Sequence, residues 1–379
     1  MNVKEKDQLT KQTNGKVFVG LSGGVDSSVA ALLLKNQGYD VVGVHLRCWN
    51  KNGCDEKDAE DAKRVADKLE IPFYVLDMEK EYKERVVDYM IKGYENGITP
   101  NPDVACNREI KFGLFLEKAL STGADYVATG HYTRLEAQQI TNSKSQIDRP
   151  HNLKPKTYHL FEAKDKSKDQ SYFLWTLTQN QLKHIIFPVG DLTKTEVRKI
   201  AKEAGLPTAE KKDSQGICFI GEVTLKDFLE EYLPRKRGNA RTTSGEILGT
   251  HEGAHFFTIG QRHGLGISIN EPYYVAGKDT ETNTVILATR DDPALKQKEV
   301  TLADVNFVDG DKQQETRDKP LDVLARVRYR APLVKAKLSN LSPATYNLVF
   351  ELPQEFVAPG QSAVFYSESG ELVGGGIII

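Results

Sequence analysis

The sequence predicts an α/β protein: an N-terminal doubly wound parallel sheet, then a small mostly-β central domain, then a C-terminal β-barrel. Three observations carry the prediction. Strand and helix patterns alternate through the first half of the chain. Glycines and polar clusters fall at the strand ends, where open parallel sheets hold their ligands. From Gly245 onward only short strand-like runs remain, separated by glycines and prolines.

The elements follow in order. Met1 to Gly15 is polar, bears lysines and lacks the apolar stretch of a secretory signal, so 1–15 reads as a flexible tail. Lys16 to Leu21 is a short apolar strand, and Ser27 to Gln37 is an apolar helix stopped by Gly38. Val41 to Leu46 is the next buried strand. Lys57 to Glu70 is amphipathic, with Ala59, Ala62, Val65, Ala66 and Leu69 at helical spacing. Pro72 opens the strand Phe73 to Leu76, and a tyrosine-rich helix covers Lys80 to Tyr94. Arg108 to Leu120 reads as a helix ended by Gly123. Asp125 to Ala128 is a strand running into Thr129, Gly130 and His131. Strands alternating with helices in this way mean a parallel sheet covered on both faces.

Ala137 to Lys156 is polar and nearly free of core residues, which reads as a loop or hairpin tip. Tyr158 to Ala163 is a strand. Thr193 to Ala204 is a helix with a capping box, Thr193 and Glu196, and Gly205-Leu206-Pro207 closes it. Pro234 to Arg241 is basic and contains breakers, so it reads as a linker. Val300 to Phe307, Leu321 to Arg328, Val334 to Leu338, Asn347 to Leu352 and Ala363 to Tyr366 are short strands of the barrel type. The changes of character place domains at 16–220, 221–295 and 296–379.

Composition narrows the function class. The 379 residues are 39% hydrophobic and 27% charged, ordinary for a soluble globular chain. A formal net charge of −2 argues against bulk attraction to nucleic acid but leaves room for a local basic patch. Lys211, Lys212, Arg235, Lys236, Arg237 and Arg241 are the candidates for one. No apolar run is long enough to span a bilayer, so no membrane role and a cytoplasmic location are expected. The cysteines Cys48, Cys54, Cys106 and Cys218 are scattered, with neither a disulfide framework nor a zinc spacing, and no metal site is expected from them.

The sharpest motif is Gly20-Leu21-Ser22-Gly23-Gly24-Val25-Asp26-Ser27, between a strand and a helix. Adjacent glycines let backbone amides approach a phosphate, and the helix adds its positive end. Ser22 and Ser27 offer hydroxyls, and Asp26 offers a ligand for Mg²⁺. No Gly-Lys-Ser/Thr follows, so this is not a Walker A loop. The pattern SGGxDS resembles the PP-loop of ATP pyrophosphatases, which cleave ATP to AMP and pyrophosphate.

Two cysteines sit in marked contexts. Cys106 follows Ile98-Thr99-Pro100-Asn101-Pro102-Asp103-Val104-Ala105, where two prolines break any preceding helix. It is expected at the start of the next helix, with Arg108 and Lys111 favouring its thiolate and Asp103 near enough for acid–base work. Cys218 lies between Gly216 and Gly221, behind Lys211 and Lys212, in a segment suited to movement. Read alone, each cysteine is a small apolar residue, and Cys48 and Cys54 stay so.

SGGVDS, TPNPDVACNREIKFG, TGHY, KDQSYFL and DSQGICFIG occur in this order along the chain. Together they resemble the bacterial and mitochondrial tRNA 2-thiouridylases, the MnmA/TrmU family. The resemblance implies that Gly20 to Ser27, Leu46 and Gly130 bind ATP, with Mg²⁺ accompanying it. Many family members carry methionine at the position of Leu46. It implies that Asn101, Pro102 and Asp103 receive the target base. It implies tRNA contacts at His131, Lys168, Asp169, Gln170, Arg328, Tyr329 and Gln361. Cys106 matches the nucleophile and Cys218 the persulfide carrier, paired at one stage as a catalytic disulfide. The implied reaction replaces the 2-oxygen of a wobble uridine by sulfur. ATP adenylates that oxygen, and a persulfide loaded on Cys218 by a cysteine desulfurase or relay protein supplies the sulfur. Transfer as persulfide and transfer as hydrosulfide both fit.

Two other readings fit the phosphate loop alone. Another PP-loop enzyme, such as an amide ligase or a tRNA lysidine synthetase, would keep its chemistry without Cys218. A non-reacting ATP-binding module would release neither AMP nor pyrophosphate.

Overall fold

The structure is a computed structural model that describes residues 13–49, 54–139, 156–213, 224–266, 272–309, 316, 319–342 and 345–379. Most of the expected tail, the polar stretch 140–155 and the segment 214–223 with Cys218 lie outside the described residues.

The first half builds as the alternation predicts. β1 (Lys16–Gly20) leads to α1 (Val25–Asn36), β2 (Asp40–Arg47), α2 (Cys54–Lys68) and β3 (Phe73–Asp77). A helical run follows: α3 (Glu79–Tyr82), wider π-type turns over Lys83–Val87, and α4 (Asp88–Glu95). A second run comprises α5 (Pro102–Cys106), π-type turns over Asn107–Leu114, and α6 (Phe115–Ser121). Next come β4 (Tyr126–Ala128), the strands β5 (Thr133–Gln139) and β6 (Lys156–Glu162), α7 (Gln179–Leu182), β7 (Ile185–Ile186), α8 (Lys194–Glu203) and α9 (Leu225–Glu230). β5 and β6 pair antiparallel on either side of the polar stretch.

The five-stranded sheet runs β3-β2-β1-β4-β7, with every pairing parallel. Val17, Val19 and Val41 join one apolar cluster with α1, while Val42, Val44 and Val127 join another with α4 and α6. That is the doubly wound arrangement. The chain moves from β1 to β2 and β3 on one side and returns to β4 on the other. The loops after β1 and β4 therefore flank the topological switch point, where such sheets bind ligands.

The central unit is a four-stranded sheet in the order β10-β11-β8-β9, from β8 (Gly238–Thr242), β9 (Ile247–His251), β10 (Tyr273–Asp279) and β11 (Thr284–Thr289). The basic stretch read as a linker is in part a strand, because β8 begins at Gly238. Arg235 in that stretch is engaged by Glu230 at 2.7 Å and Glu252 at 3.4 Å.

β12 (Lys296–Phe307), β13 (Leu321–Arg326), β14 (Val334–Ser342), β15 (Thr345–Glu355), β16 (Ser362–Tyr366) and β17 (Leu372–Ile378) close a barrel in the order β12-β15-β14-β13-β16-β17. β17 escaped the sequence reading because Gly374, Gly375 and Gly376 argue against a strand. The glycines allow close packing: a Cβ on Gly375 would lie 2.6 Å from Trp175 Cγ.

The barrel is docked on the N-terminal domain through buried polar contacts. Tyr172 Oη donates to the Ser362 carbonyl at 2.8 Å, and Trp175 Nε1 donates to Ser362 Oγ at 3.0 Å. Arg326 and Glu162 form a buried ion pair at 2.6 Å. Such a pair adds little net stability, but removing one partner strands a buried charge.

Candidate active site

The loop from Leu21 to Gly24 is shaped by its own backbone and hydroxyls. Leu21 N–H donates to the Val44 carbonyl at 2.8 Å, tying the loop to β2. His45 Nδ1 donates to the Leu21 carbonyl at 2.9 Å, with Nε2 facing Asp55 at 3.2 Å. Gly23 has φ +71, and a Cβ there would lie 2.4 Å from the Asp58 carbonyl oxygen, so only glycine fits. Ser22 N–H donates to Ser27 Oγ at 3.2 Å, and Ser27 and Ser28 hydroxyls bond to the Gly24 carbonyl at 3.2 and 2.7 Å.

Gly24 is the N-cap of α1 and no side chain caps the helix. The first amides of α1 therefore keep their donors for an incoming anion. Gly130, after β4, packs directly on this turn: a Cβ on it would lie 2.6 Å from Ser27 N. Leu46 is half-buried at the end of β2 and packs against the cluster that contains Cys106. Glycines, hydroxyls and uncapped amides thus fit a nucleotide phosphate at the switch point.

Asp26 is already engaged. Lys194 Nζ donates to its two carboxylate oxygens at 2.7 and 2.8 Å, and Tyr132 Oη donates to Oδ1 at 2.7 Å. A Mg²⁺ arriving with ATP would take Asp26 only by displacing that ammonium. Burial and the Asp26 charge hold the Tyr132 phenol far above its usual range, so it stays a donor. Lys194 also reaches Asp213 at 2.9 Å. Lys168 and Arg198 each meet Asp213 at 2.7 Å. Burial opposes ionisation of Asp213, but the Lys168 and Lys194 ammoniums prevail and bring its carboxyl down to about 2. Asp213 is the last described residue before the segment that carries Cys218.

Cys106 lies deeper than expected. The helix begins at Pro102, not near Arg108: Asn101 caps it, accepting from Asp103 N and Val104 N at 3.2 Å each, with Pro102 as first helical residue. Asparagine at the cap and proline at the first position start helices, whereas the sequence reading took the prolines as breakers. Cys106 therefore sits about one turn inside the helix and is 4% exposed. Arg108 is exposed and pairs with Glu109 at 2.8 Å. Asn107, the next residue, is buried, and its Oδ1 has no hydrogen-bond partner among the described residues. Asp103, in the first turn, is half-buried.

The remaining positions divide by exposure. His131 is buried, bonds Thr129 Oγ1 through Nδ1 at 2.7 Å, and is kept neutral by burial. Asp169 is buried and accepts from Ala163 N at 2.9 Å and Ser171 Oγ at 2.9 Å. Gln170 and Tyr132 exchange two bonds, at 3.0 and 2.9 Å, which braces the Asp26 partner. Arg328 is exposed, with its guanidinium 5.3 Å from the Phe356 ring centre, and Tyr329 packs on Phe173 at 4.5 Å. Lys211 is held by Asp58 at 2.7 Å and Asp61 at 2.6 Å, so its charge is matched within the protein.

Three family models cover the chain in succession. One described as the tRNA methyl transferase HUP domain matches residues 15–222. One described as the tRNA methyl transferase PRC-barrel domain matches 226–289, and an aminomethyltransferase beta-barrel domain matches 297–378. The tRNA-specific 2-thiouridylase MnmA of Geobacillus thermodenitrificans is 46% identical over 370 residues, covering 96% of this chain and 94% of the relative. The chain belongs to the tRNA-specific 2-thiouridylase family. The protein of the same name from Christiangramia forsetii is 44% identical over 407 residues, covering 96% and 99%. That of Streptococcus agalactiae is 44% identical over 387 residues, covering 98% and 96%. In this member of the thiouridylase family, sequence reasoning missed Lys194 and Tyr132 as partners of Asp26. The capping box at Thr193 did locate Lys194 at the start of a helix, but its partner lies 168 residues away in the chain.

Proposed function

We propose that this chain is a tRNA-uridine 2-sulfurtransferase that activates a wobble uridine with ATP and delivers sulfur from a Cys218 persulfide. The observation that carries the proposal is the phosphate loop at the switch point, with Gly130 against it and Cys106 in the cluster that also holds Leu46. Family membership supplies the substrate class. The proposed division is a PP-loop domain over 16–220, a small β-rich domain over 221–295 and a barrel over 296–379.

ATP supplies AMP to the uracil 2-oxygen, breaking the α–β phosphate bond and releasing pyrophosphate with the electron pair. Gly20 to Ser27 orient the phosphates through amides and hydroxyls, and Leu46 and Gly130 line the adenine side. Asn101, Pro102 and Asp103 receive the everted base, with Asp103 holding or moving the proton at the pyrimidine. A C2–S bond then forms and the C2–O bond breaks as AMP departs. The Cys106 thiolate attacks the inner sulfur of the Cys218 persulfide, and the outer sulfur leaves as hydrosulfide or as the C2 substituent. The resulting Cys106–Cys218 disulfide needs two electrons from an external thiol to reset. His131, Lys168, Asp169, Gln170, Arg328, Tyr329 and Gln361 make up the tRNA-facing set, with Gln361 and the buried members acting by shaping the turns behind the contact surface. A cysteine desulfurase or relay protein loads the persulfide, and the protein works in the cytoplasm.

The deciding experiment incubates the protein with tRNA, ATP and a persulfide source and analyses the nucleosides by mass spectrometry. 2-Thiouridine formed in step with AMP and pyrophosphate is the expected result. ATP turnover without thiolated nucleoside would reject the sulfur-transfer reading.

Lys194 offers a second prediction. It neutralises Asp26 at the mouth of the phosphate loop. In Lys194→Met an unmatched carboxylate faces the polyphosphate. ATP affinity is expected to fall about tenfold or more, equivalent to about 1.4 kcal/mol, with a smaller loss for AMP. Calorimetric titration of both nucleotides checks this, and equal losses for the two would remove the polyphosphate from the explanation.

A further inference from the structure

The segment 98–101 leads into the helix that carries Asp103 and Cys106, yet Thr99 and Pro100 within it take their backbone partners from the barrel. Thr99 N–H donates to the Pro359 carbonyl at 2.9 Å. Gln361 Nε2 donates to the Thr99 carbonyl at 2.9 Å and to the Pro100 carbonyl at 3.3 Å. These contacts bridge 262 and 261 residues of sequence. Three consecutive polar groups of the segment are thus satisfied by one turn of a different domain. A buried backbone carbonyl without a partner is costly, so the segment depends on that turn for its position.

The turn itself is firmly held. Gly360 has φ +89, which glycine adopts without strain after a proline in a tight turn. Gly360 N–H donates to the Ile378 carbonyl at 2.8 Å, and Ile378 N–H donates back to the Gln361 carbonyl at 2.9 Å. Its contact with the segment is close: a Cβ on Gly360 would lie 2.1 Å from Ile98 Cγ2 and 3.0 Å from the Thr99 carbonyl carbon. Ser362, next in the chain, holds Tyr172 and Trp175. A crevice lined by Asn101, Val104, Arg108, Trp175, Gly360 and Ser362 runs along this junction. On the other side Pro100 packs on Gly93, where a Cβ would lie 2.0 Å from the proline ring. Asn101, immediately after the pinned carbonyls, is the cap of the Cys106 helix.

We infer that Gln361 is a positioning residue for the reaction: from the barrel it fixes the Thr99–Pro100 backbone, and through the Asn101 cap it sets Asp103 and Cys106. Its carboxamide nitrogen is directed to two protein carbonyls, so its contribution to tRNA affinity is small. The barrel is then part of the catalytic geometry as well as a surface for RNA. This inference rests on the thiouridylase reading proposed above.

Gln361→Met keeps the length and removes the donors, and Gln361→Glu sets a carboxylate against two carbonyls. The readouts are tRNA affinity, kcat and KM for thiolation, and the pH-dependent rate of Cys106 alkylation by iodoacetamide, located by peptide mass spectrometry. kcat is expected to fall about tenfold in the methionine variant and further in the glutamate variant, with tRNA affinity within about threefold. The alkylation rate of Cys106 is expected to shift by about threefold or more, with Cys48 unchanged as internal reference. Should Gln361→Glu fail to fold, the methionine variant carries the test alone. A tenfold loss of tRNA affinity with kcat unchanged would overturn the inference, as would all readouts staying at parental values. The alkylation readout needs no turnover, so an inactive parent would reject the thiouridylase reading while still testing the contact itself.

Discussion

Gly130→Ala is expected to lower ATP affinity by about a hundredfold or more while leaving the fold intact. The added Cβ would lie 2.6 Å from Ser27 N, 2.8 Å from Asp26 C and 3.0 Å from Ser27 Cα. All three atoms are backbone, so no side chain can rotate away. Either β4 or the first turn of α1 must move. The first turn of α1 holds the uncapped amides proposed to meet the phosphates, and donors displaced by a fraction of an ångström lose most of their directed hydrogen bonding. The Asp26 carboxylate, held by Lys194 and Tyr132, would be displaced with it. The second covering layer of the sheet is untouched, so thermal unfolding should change by only a few degrees. Calorimetric titration with ATP is the measurement. Affinity within threefold of the parent would mean that Gly130 only spaces β4 from α1 and is not the wall of the nucleotide site.

Much of this architecture was legible in the sequence because local signals decide it. The SGGVDS loop reads as a phosphate cradle since its glycines and hydroxyls work within eight consecutive residues. The capping box at Thr193 is likewise local, and the structure realises it, with Glu196 Oε2 accepting from Thr193 N at 2.6 Å. The parts that were illegible depend on long-range partners or on ambiguous signals. Asn101-Pro102-Asp103 serves equally as breaker and as helix start, and in the structure the Asn101 cap on Asp103 N and Val104 N makes it the second. Lys211 looked free for phosphates until Asp58 and Asp61 were found beside it. His131 was placed by resemblance as a tRNA contact, and its burial beside Phe112 and Phe187, at 5.8 and 6.2 Å between ring centres, could not be read from the chain. Gln361 was placed by resemblance as a tRNA contact, and the backbone groups it serves lie in another domain.

Cys106→Ser and Cys218→Ser are each expected to reduce 2-thiouridine formation by at least about a thousandfold. A serine hydroxyl carries no persulfide and attacks none at neutral pH, because the reaction runs through the thiolate. Pyrophosphate release in the presence of tRNA should persist in both variants, since neither side chain belongs to the phosphate loop. Cys48→Ser serves as contrast: Cys48 is half-buried beyond β2 and has no part in the proposed chemistry, so its variant should thiolate within about threefold of the parent. The double variant carries the sharper argument. Two residues that contribute to separate steps would lose activity multiplicatively when both are changed. Two sulfurs that meet in one disulfide-forming step lose it once, and the double variant should be no worse than either single one. Thiolation, pyrophosphate release and the single-versus-double comparison can be read from one set of reactions. Thiolation surviving Cys218→Ser would transfer the carrier role elsewhere and return the chain to the wider class of PP-loop enzymes.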